Sequence, residues 1–580
     1  MRDESRLSYS FGRFRVVARE KQLLSDGKQV PLPPKALDTL LLLLENRGQL
    51  VSKEEFLKRV WNDNFIEEVV LAHSISQLRK GLEDQKGAPL FIETIPKRGY
   101  KFIAPVTVEG QDSFENLPSV MLAVLPFENL GMGAEREYLA EGLTEEVIAT
   151  LGQTDPDHLG VIGRTSVMAY KGTTKSLAQI GRELNTQFLV EGSIRAEGSR
   201  FRITSRLIRV RDQVQTWSAS YDSEPSSLLE FQRELSATIA QQVSSRLSAD
   251  RLGGLADRQT RDREAYDLYL RGRYFWNQFS PPTTRRAIEC YTRATGIDPG
   301  YALAWSGLAT VWASSPINGD APPLEVWPRS KEASRHAVAA GAGIAEVQTS
   351  LGMLKFWLDW EWAVAEKSLR KAIELDPSDS HGWRLLGIVL SHGGRHVDAQ
   401  AAMRRARELD PLDPTHYAMS AQVAFNARDF AAAIGFADRA RVLNPEFWVA
   451  YYQLALAHEQ TGCADAAIEA LRKAAPFSSG NSKVIGLRGY LLAKLGRKGE
   501  ALEVLNTLMA VSRERYVPPY ATALVYAGLC DRENVLAWLQ RAHELHDVHL
   551  AFLGVDAKWD AFRTDGRFMA VVEQCAFMKE

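Results

Sequence analysis

Two stretches near the start of the chain, HSISQLRKGLED at residues 73–84 and FIETIPKRGYKF at residues 91–102, decide how its first hundred residues fold. In the first stretch apolar residues recur at intervals of four, three and four, so they form one narrow stripe on a helix expected at about 67–83. The stripe consists of Leu71, Ile75, Leu78 and Leu82. In the second stretch two short strands flank Pro96-Lys97-Arg98-Gly99, which predicts a tight hairpin with two cations at its exposed turn, where Gly99 can take a positive φ.

The opposite face of this helix carries short polar and basic side chains, which suit the major groove of DNA. The candidates for base-edge contacts are His73, Ser76 and Gln77. The candidates for contacts to the DNA backbone, from the helix margin and the hairpin, are Arg79, Lys80, Lys97, Arg98 and Tyr100. An ordinary amphipathic helix with a solvated face is the alternative for the helix alone. The two cations at the hairpin turn favour DNA, because a purely structural hairpin does not need them.

The residues before this helix predict a small sheet and two further helices. Residues 7–32 alternate apolar and polar side chains with turn signals between them, which is typical of antiparallel strands. Pro34 suits the first turn of a helix that contains the leucine run. Ser52 and Glu55 have the spacing of a capping box and open a second helix that ends near Trp61.

This order of sheet, capped helix, helix with LRKGL and closing RGYKF resembles the OmpR/PhoB-type (CadC-like) winged-helix DNA-binding domain, here at residues 7–105. The resemblance implies that the third helix reads the major groove and that the hairpin, the wing, contacts the minor groove or its phosphates. It also implies an RNA polymerase contact from the loop Asn62, Asp63, Asn64 and Phe65. We expect neither a phosphoacceptor domain nor a transmembrane helix, so phosphorylation by a histidine kinase is not implied.

Residues 106–119 are polar and read as a linker, and residues 120–250 predict a small α/β domain. Its first strand is the apolar run Met121–Phe127, which is typical of a strand buried on both faces. The motifs of this region resemble the TolB-N/FlgO-like domain. Two segments, 142–146 at an expected helix start and 163–166 after a strand, could hold an anion on backbone amides. Turn and cap roles are the favoured alternative, because no nucleotide-binding loop is present.

From residue 262 to 549 the chain repeats with a period of 34 residues, as Pro377, Pro411 and Pro445 illustrate. Small residues keep the same period, and they mark where paired helices cross closely. The pattern resembles the tetratricopeptide repeat, with about eight units, and residues 550–580 read as a capping segment. The predicted fold is therefore multidomain: a winged-helix head, a small α/β domain and an all-α solenoid. The concave groove of such a solenoid suits a peptide, protein or effector, with a spacer or dimerisation arm as the alternative.

Catalytic, metal and cofactor sites are not expected from the sequence. The four cysteines lack CxxC spacing, which argues against a disulfide framework and a cysteine-based zinc site and fits a reducing cytoplasm. The histidine groups at 543, 546 and 549 and at 392 and 396 lack the spacing of known metal motifs. No apolar run approaches the roughly 20 residues that cross a bilayer, so no membrane partner is expected.

The leading hypothesis is a one-component cytoplasmic transcriptional regulator. We expect its head to bind double-stranded promoter DNA, possible partners to include RNA polymerase and a second copy of the chain, and the α/β and repeat regions to bind an effector or a protein. The main alternative is a signalling scaffold whose winged helix no longer binds DNA. A third hypothesis, an α/β enzyme acting on a nucleotide, lacks any phosphate-binding loop.

Overall fold

In the computed structural model the chain divides into two compact units, residues 1–116 and residues 117–580. The structure describes residues 8–17, 22–25, 28–45, 50–61, 68–84, 89–95, 98–104, 107–109, 120–154, 158–197, 200–223, 238–239, 242, 260, 262–278, 281–319 and 321–575. The predicted polymerase loop at 62–65 and Lys97 of the hairpin turn lie outside these ranges.

The described residues of the first unit form two antiparallel sheets and three helices. Its elements are β1 Ser8–Phe11, β2 Phe14–Val17, β3 Gln22–Ser25, β4 Lys28–Val30, α1 Pro34–Glu45, β5 Leu50–Ser52, α2 Lys53–Trp61, α3 Glu68–Gly81, β6 Ile92–Ile95, β7 Gly99–Phe102 and β8 Thr107–Glu109. The larger sheet has the order β4-β3-β2-β1-β8 and the smaller one β5-β7-β6. The predicted stripe of α3 faces the core, where each of its four residues is at most 1% exposed.

Strand β8 corrects the predicted linker, which was expected to begin at residue 106. The strand pairs with β1 in the register Ser8 with Glu109 and Ser10 with Thr107, so it belongs to the head. The physical reason is that the backbone N–H and C=O groups on the outer edge of β1 need hydrogen-bond partners. A neighbouring strand can supply these partners whether its side chains are polar or apolar.

The second unit begins with a six-stranded mixed sheet. Its elements are β9 Val120–Val124, β10 Glu128–Leu130, α4 Glu137–Thr154, β11 Leu159–Val161, α5 Arg164–Met168, α6 Leu177–Glu183, β12 Phe188–Glu197, β13 Arg200–Arg209 and β14 Val214–Ser223. Strand order is β11-β9-β12-β13-β14, with β10 also on β12. Leu122 and Val124 pack in one hydrophobic cluster and Ala123 and Leu125 in another, so β9 is buried on both faces as predicted.

The rest of the unit is a solenoid of eight helix pairs among the described residues. The pairs are α7 Arg263–Trp276 with α8 Pro281–Ile297, α9 Ala302–Gly319 with α10 Pro323–Gly341, α11 Ala345–Leu354 with α12 Trp362–Leu375, α13 Ser380–His392 with α14 His396–Leu409, α15 Pro414–Asn426 with α16 Phe430–Leu443, α17 Trp448–Gln460 with α18 Ala464–Ala474, α19 Ser482–Lys494 with α20 Lys498–Val511, and α21 Pro519–Gly528 with α22 Arg532–Glu544. A last helix, α23 Gly566–Gln574, packs on α22.

One hydrogen bond recurs at the start of four of these units. In each, an aromatic side chain donates to the carbonyl of the proline six residues before it, at 2.8–3.2 Å. The pairs are Trp305 with Pro299, Trp383 with Pro377, Tyr417 with Pro411 and Tyr451 with Pro445. The bond ties the first helix of each pair to the turn before it, where proline has ended the preceding helix.

The α/β domain and the solenoid share one hydrophobic core. A single cluster of buried residues extends from Leu122 of β9 to Val347 of α11. Helix α4 packs against α7, where a Cβ on Gly142 would lie 2.9 Å from Leu270. The small residue therefore permits the close approach of the two helices.

Candidate nucleic-acid interface

Helix α3 presents polar side chains opposite its buried stripe. His73, Ser76 and Lys80 are exposed on this face, and Gln77 is half-buried among them. Gln77 Nε2 and His73 Nε2 lie 3.0 Å apart and share a hydrogen bond across one helical turn. This bond restrains both side chains before any ligand arrives, because the two residues are neighbours on the helix surface.

Arg79, predicted as a phosphate ligand, is held by the hairpin. Its Nη2 donates to the carbonyl of Ile92 and to Oγ1 of Thr94, both at 2.8 Å. The guanidinium group therefore links the end of α3 to strand β6. This geometry favours a positioning role for Arg79 over a phosphate contact, since its donors are partly engaged inside the domain.

Asp84, which no sequence pattern marks, forms a second link between α3 and the hairpin. Its carboxylate accepts hydrogen bonds from the backbone N–H groups of Leu90, Phe91 and Ile92, at 2.6, 3.4 and 2.9 Å. The side chain is buried, so these three donors satisfy a carboxylate that would otherwise be costly to bury. The sequence gives little sign of this role, because an aspartate after a helix is common in loops.

The hairpin turn exposes one of the predicted cations, while its neighbour Tyr100 points into the core. Arg98 is exposed. Tyr100 is 9% exposed and packs edge-to-face on Phe56 with ring centroids 6.0 Å apart, which favours a structural role for its ring. Gly99 pairs with Ser52 of β5, and a Cβ there would lie 2.0 Å from the carbonyl oxygen of Val51.

The predicted anion site at residues 163–166 is filled by a carboxylate of the chain itself. Asp410, in the turn after α14, accepts hydrogen bonds from the backbone N–H groups of Thr165 and Ser166, at 3.3 and 2.7 Å, and from the Ser166 hydroxyl. The Ser166 hydroxyl in turn accepts from Leu412 N–H at 2.7 Å. The segment therefore joins the α/β domain to the repeats, in agreement with the cap role favoured from the sequence.

The other predicted anion segment, residues 142–146, lies inside α4 and not at a helix start. Its last two residues, Glu145 and Glu146, form ion pairs with Arg273 of α7; the pair with Glu146 measures 2.5 Å. Burial raises the pKa of Glu146 to about 7, although Arg273 opposes this rise. This segment is acidic and already paired with a cation, so it does not suit an anion.

Among the described residues, one group of ligand-type side chains comes together: Asp410, Asp413 and His416, with candidate ligand atoms within 4.8 Å of one another. Asp410 is engaged by α5, and Asp413 accepts a hydrogen bond from Thr415 N–H at 2.6 Å. Burial lowers the pKa of His416 to about 4, and the nearby Arg384 and Arg407 contribute to this decrease. The two carboxylates already accept hydrogen bonds from N–H groups, and two guanidinium groups lie nearby. Both features disfavour a bound cation at this position.

Three segments of the chain match known protein families. Residues 27–102 match the family described as "Transcriptional regulatory protein, C terminal". Residues 118–238 match "HilA/YgeH-like transcriptional regulator, second domain", so the expected TolB-N/FlgO-like resemblance is not confirmed. Residues 361–414 and 418–482 match "Tetratricopeptide repeat".

Similar proteins include two transcription regulators. The chain is 25% identical over 382 residues to the transcriptional regulator HilA of Salmonella typhimurium, across 64% of this chain and 66% of HilA. It is 33% identical over 107 residues to the transcriptional activator CadC of Escherichia coli, across 18% of this chain and 21% of CadC. A putative adenylate cyclase 3 of Rhizobium meliloti is 34% identical over 197 residues, across 34% of this chain and 33% of that protein.

The matched part of the chain thus spans less than two thirds of each of these relatives. Within the described ranges, no helix is both long and apolar enough to cross a bilayer. The chain therefore carries an OmpR/PhoB-type winged-helix segment, a segment that matches the HilA/YgeH-like second domain and tetratricopeptide repeats, and 64% of it is similar in sequence to the transcriptional regulator HilA.

Proposed function

We propose that the protein is a transcription regulator that binds promoter DNA through α3 and the β6–β7 hairpin. The observation that carries this proposal is the polar face of α3, where His73, Ser76 and Lys80 are exposed while the opposite stripe is buried in the domain core. A helix with this division presents donors and acceptors to the base edges of a major groove. The relatives named as transcription regulators support the same function.

The proposed contacts divide by chemistry. We propose that His73, Ser76 and Gln77 meet base edges, whereas Lys80, Lys97 and Arg98 meet phosphates. For Arg79 and Tyr100 we propose that any effect on DNA binding acts mainly through the position of the hairpin. The loop at 62–65 remains a proposed contact for RNA polymerase. A homodimer is also proposed, because two half-sites raise the effective affinity of a small head.

The salt dependence of DNA binding tests the phosphate contacts. Bound sequences are first selected from random DNA with the full chain, and affinity is then measured at several salt concentrations for wild type and for Lys97→Ala/Arg98→Ala. Each lost phosphate contact should reduce the slope of log affinity against log salt by about 0.9. The matched control is Arg472→Ala/Lys473→Ala, an exposed basic pair on α18 that should leave the slope unchanged.

Base contacts have a different signature. Gln77→Ala should cost about 1–3 kcal/mol at one base position and little elsewhere. If selection recovers no preferred sequence and the wing variant binds like wild type, the protein is not a sequence-specific regulator. The scaffold hypothesis would then account for the chain better.

For the second unit we propose effector or partner binding. Its repeats form a surface of paired helices, the kind of scaffold that presents an extended face to another molecule.

A further inference from the structure

The segment that follows the eighth helix pair turns back along the solenoid. Residues 546–560, here called the return segment, include the short 3-10 turn Val548–Phe552 and the start of another, Ala557–Phe562. The return segment contacts side chains of pairs two to five and of pair eight. Helices of one solenoid pair normally contact only neighbouring pairs, so a segment of this length that reaches all of them must cross several pairs. The surface that it covers is called the inner face here.

At one end the return segment enters an aromatic pocket. The imidazole of His546 is stacked between the indoles of Trp327 and Trp360, with ring centroids 4.4 and 3.9 Å away. Its Nε2 also lies 2.5 Å from the carbonyl oxygen of Leu358. Phe552 then packs against Phe356 and Trp357, with centroids 6.1 Å from each. This end of the inner face therefore accepts flat aromatic groups.

At the middle of the inner face Arg428 holds the return segment by charge. Its guanidinium group binds both oxygens of Asp560, at 3.1 and 2.6 Å, and donates to the carbonyl of Val555 at 2.5 Å. The Arg428 side chain is about one third exposed, at 37%, and that of Asp560 about one half, at 46%. A two-point arginine–carboxylate contact is geometrically specific, and solvent reaches both partners, so it can open and re-form.

The return segment also carries a buried lysine. Lys558 Nζ lies 2.5 Å from Asp556 and 5.5 Å from the ring centre of Phe425, and its side chain is 2% exposed. Beyond it, Trp559 donates to the Tyr520 hydroxyl at 2.9 Å in the eighth pair. The contacts thus combine aromatic, charged and main-chain interactions with buried apolar side chains, since Val548, Leu550, Ala551, Leu553 and Trp559 are each at most 1% exposed. A bound peptide combines the same kinds of contact, with apolar anchors at the centre of its interface.

We propose that the return segment is an intramolecular ligand of the inner face, and that a partner protein displaces it with an acidic segment of its own. In that segment an aromatic residue and an acidic residue have the spacing of Phe552 and Asp560. Charge complementarity selects the partner's chemistry, because Arg428 requires a carboxylate and the pocket at Phe356 and Trp357 requires an apolar ring. The inference rests on the partner-binding half of the proposed function and is independent of DNA binding.

The test measures binding of a fluorescent peptide of residues 546–562 to the full chain. Wild type should bind it weakly, because the groove is already occupied. The double variant Phe552→Ala/Asp560→Ala keeps the groove intact but weakens the hold on its own return segment. A larger fraction of molecules then has a free groove, so peptide affinity should rise about tenfold or more. Adding Arg428→Ala should remove this gain, whereas adding Arg472→Ala, an exposed arginine elsewhere on the solenoid, should preserve it. A peptide with Asp560→Lys should also fail to bind.

Hydrogen exchange shows whether the double variant keeps its fold. Exchange should increase at residues 548–560 while α13–α16 stay protected. Equal peptide binding by wild type and the double variant, no binding by either, or indifference to Arg428 would each overturn the inference, as would loss of protection throughout the solenoid. DNA affinity measured on the same samples keeps the two proposals apart: peptide exchange without DNA binding refutes only the regulator, and DNA binding without peptide exchange refutes only the groove ligand.

Discussion

Gly99 shows how one position in the wing is constrained by a neighbouring strand. From the sequence, the glycine is expected to provide a positive φ at the turn. In the structure its φ is +157°, close to extended backbone, and the tighter constraint is the 2.0 Å between an added Cβ and the carbonyl oxygen of Val51. A glycine is needed because β5 and β7 approach each other with no room for a side chain at this point.

Gly99→Ala should therefore destabilise the head. Because backbone must move to admit the methyl group, we expect a loss at the upper end of the about 1–3 kcal/mol typical of overpacking. Faster hydrogen exchange in β5 and β7, together with weaker DNA binding, would show it. Gly435→Ala in α16 is the control, since a Cβ there meets nothing within 4 Å. Unchanged exchange in the head would contradict this account.

Asp84 offers a second prediction about a single residue. Asp84→Asn removes the negative charge and replaces one acceptor oxygen with a donor nitrogen, so part of the three N–H contacts at the start of β6 is lost. We expect a cost of about 1–3 kcal/mol, in the range for hydrogen bonds to charged groups. The measurement is the free energy of unfolding of the head together with exchange of the Leu90 and Ile92 amides. Glu83→Gln, at a neighbouring side chain that is 72% exposed, should have little effect.

At the scale of elements, α3 and the wing are fixed relative to each other because Arg79 and Asp84 both form hydrogen bonds to β6. The loop between the helix and the strand is thereby bridged twice, once through a guanidinium group and once through a carboxylate. A recognition helix and a wing that share such links present their DNA contacts in a fixed relation, which reduces the ordering cost on binding.

Arg79→Ala distinguishes positioning from phosphate binding. If Arg79 positions the wing, the variant should lose DNA affinity with the slope of log affinity against log salt unchanged. A phosphate ligand would instead reduce that slope by about 0.9. Lys80→Ala, on the exposed face of the same helix, is the comparison and should show the reduced slope. A reduced slope for Arg79→Ala would restore the phosphate role expected from the sequence.

For the whole molecule, the joint between the α/β domain and the repeats buries carboxyl groups. Burial, with a smaller contribution from nearby acidic groups, raises the pKa of Asp376 to about 8 and that of Asp410 to about 7. Asp376 accepts a hydrogen bond from Gln153 of α4 at 3.3 Å, so this acid lies on the joint itself. Protonation of these groups thus favours the folded state of the second unit.

The stability of the second unit should therefore fall as pH rises from about 6.5 to 8 and level off above that. Folded Asp376 keeps its proton up to about pH 8, whereas the unfolded side chain releases it near 4, so this stabilising contribution declines between these two pKa values and is lost once pH passes the folded pKa. The depressed pKa values of His392 and His416, both about 4, act in the opposite direction only below about 6.5.

Asp376→Asn should flatten this pH dependence. The neutral amide keeps the size of the side chain, and Gln153 can rotate its amide to accept from it. Thermal unfolding at pH 6.5 and pH 9 gives the measurement, and Glu374→Gln, at a side chain 69% exposed, is the control. A variant with the same pH dependence as wild type would show that Asp376 is ionised in the folded protein.

Several features of this fold could be predicted because they are local. The spacing of Leu71, Ile75 and Leu78 specifies a helix with one buried face, and the 34-residue period specifies paired helices, whichever other parts of the chain they meet. Strand β14 was not predicted, because the alternation of Trp217, Ala219 and Tyr221 with polar residues is short and the strand's other described side chains are exposed. It forms through backbone pairing with β13, which side-chain patterns do not reveal.

The sequence by itself determined the order of the three regions, the face of α3 that remains for a ligand and the presence of the basic turn. Only the tertiary structure decided that Arg79 and Asp84 hold the wing, that Asp410 fills the anion site of α5, and that the return segment lies along the repeats. The physical reason is separation along the chain: periodicity reports what neighbouring residues do, whereas these contacts join groups from 6 to more than 240 positions apart, and nothing in local spacing encodes them.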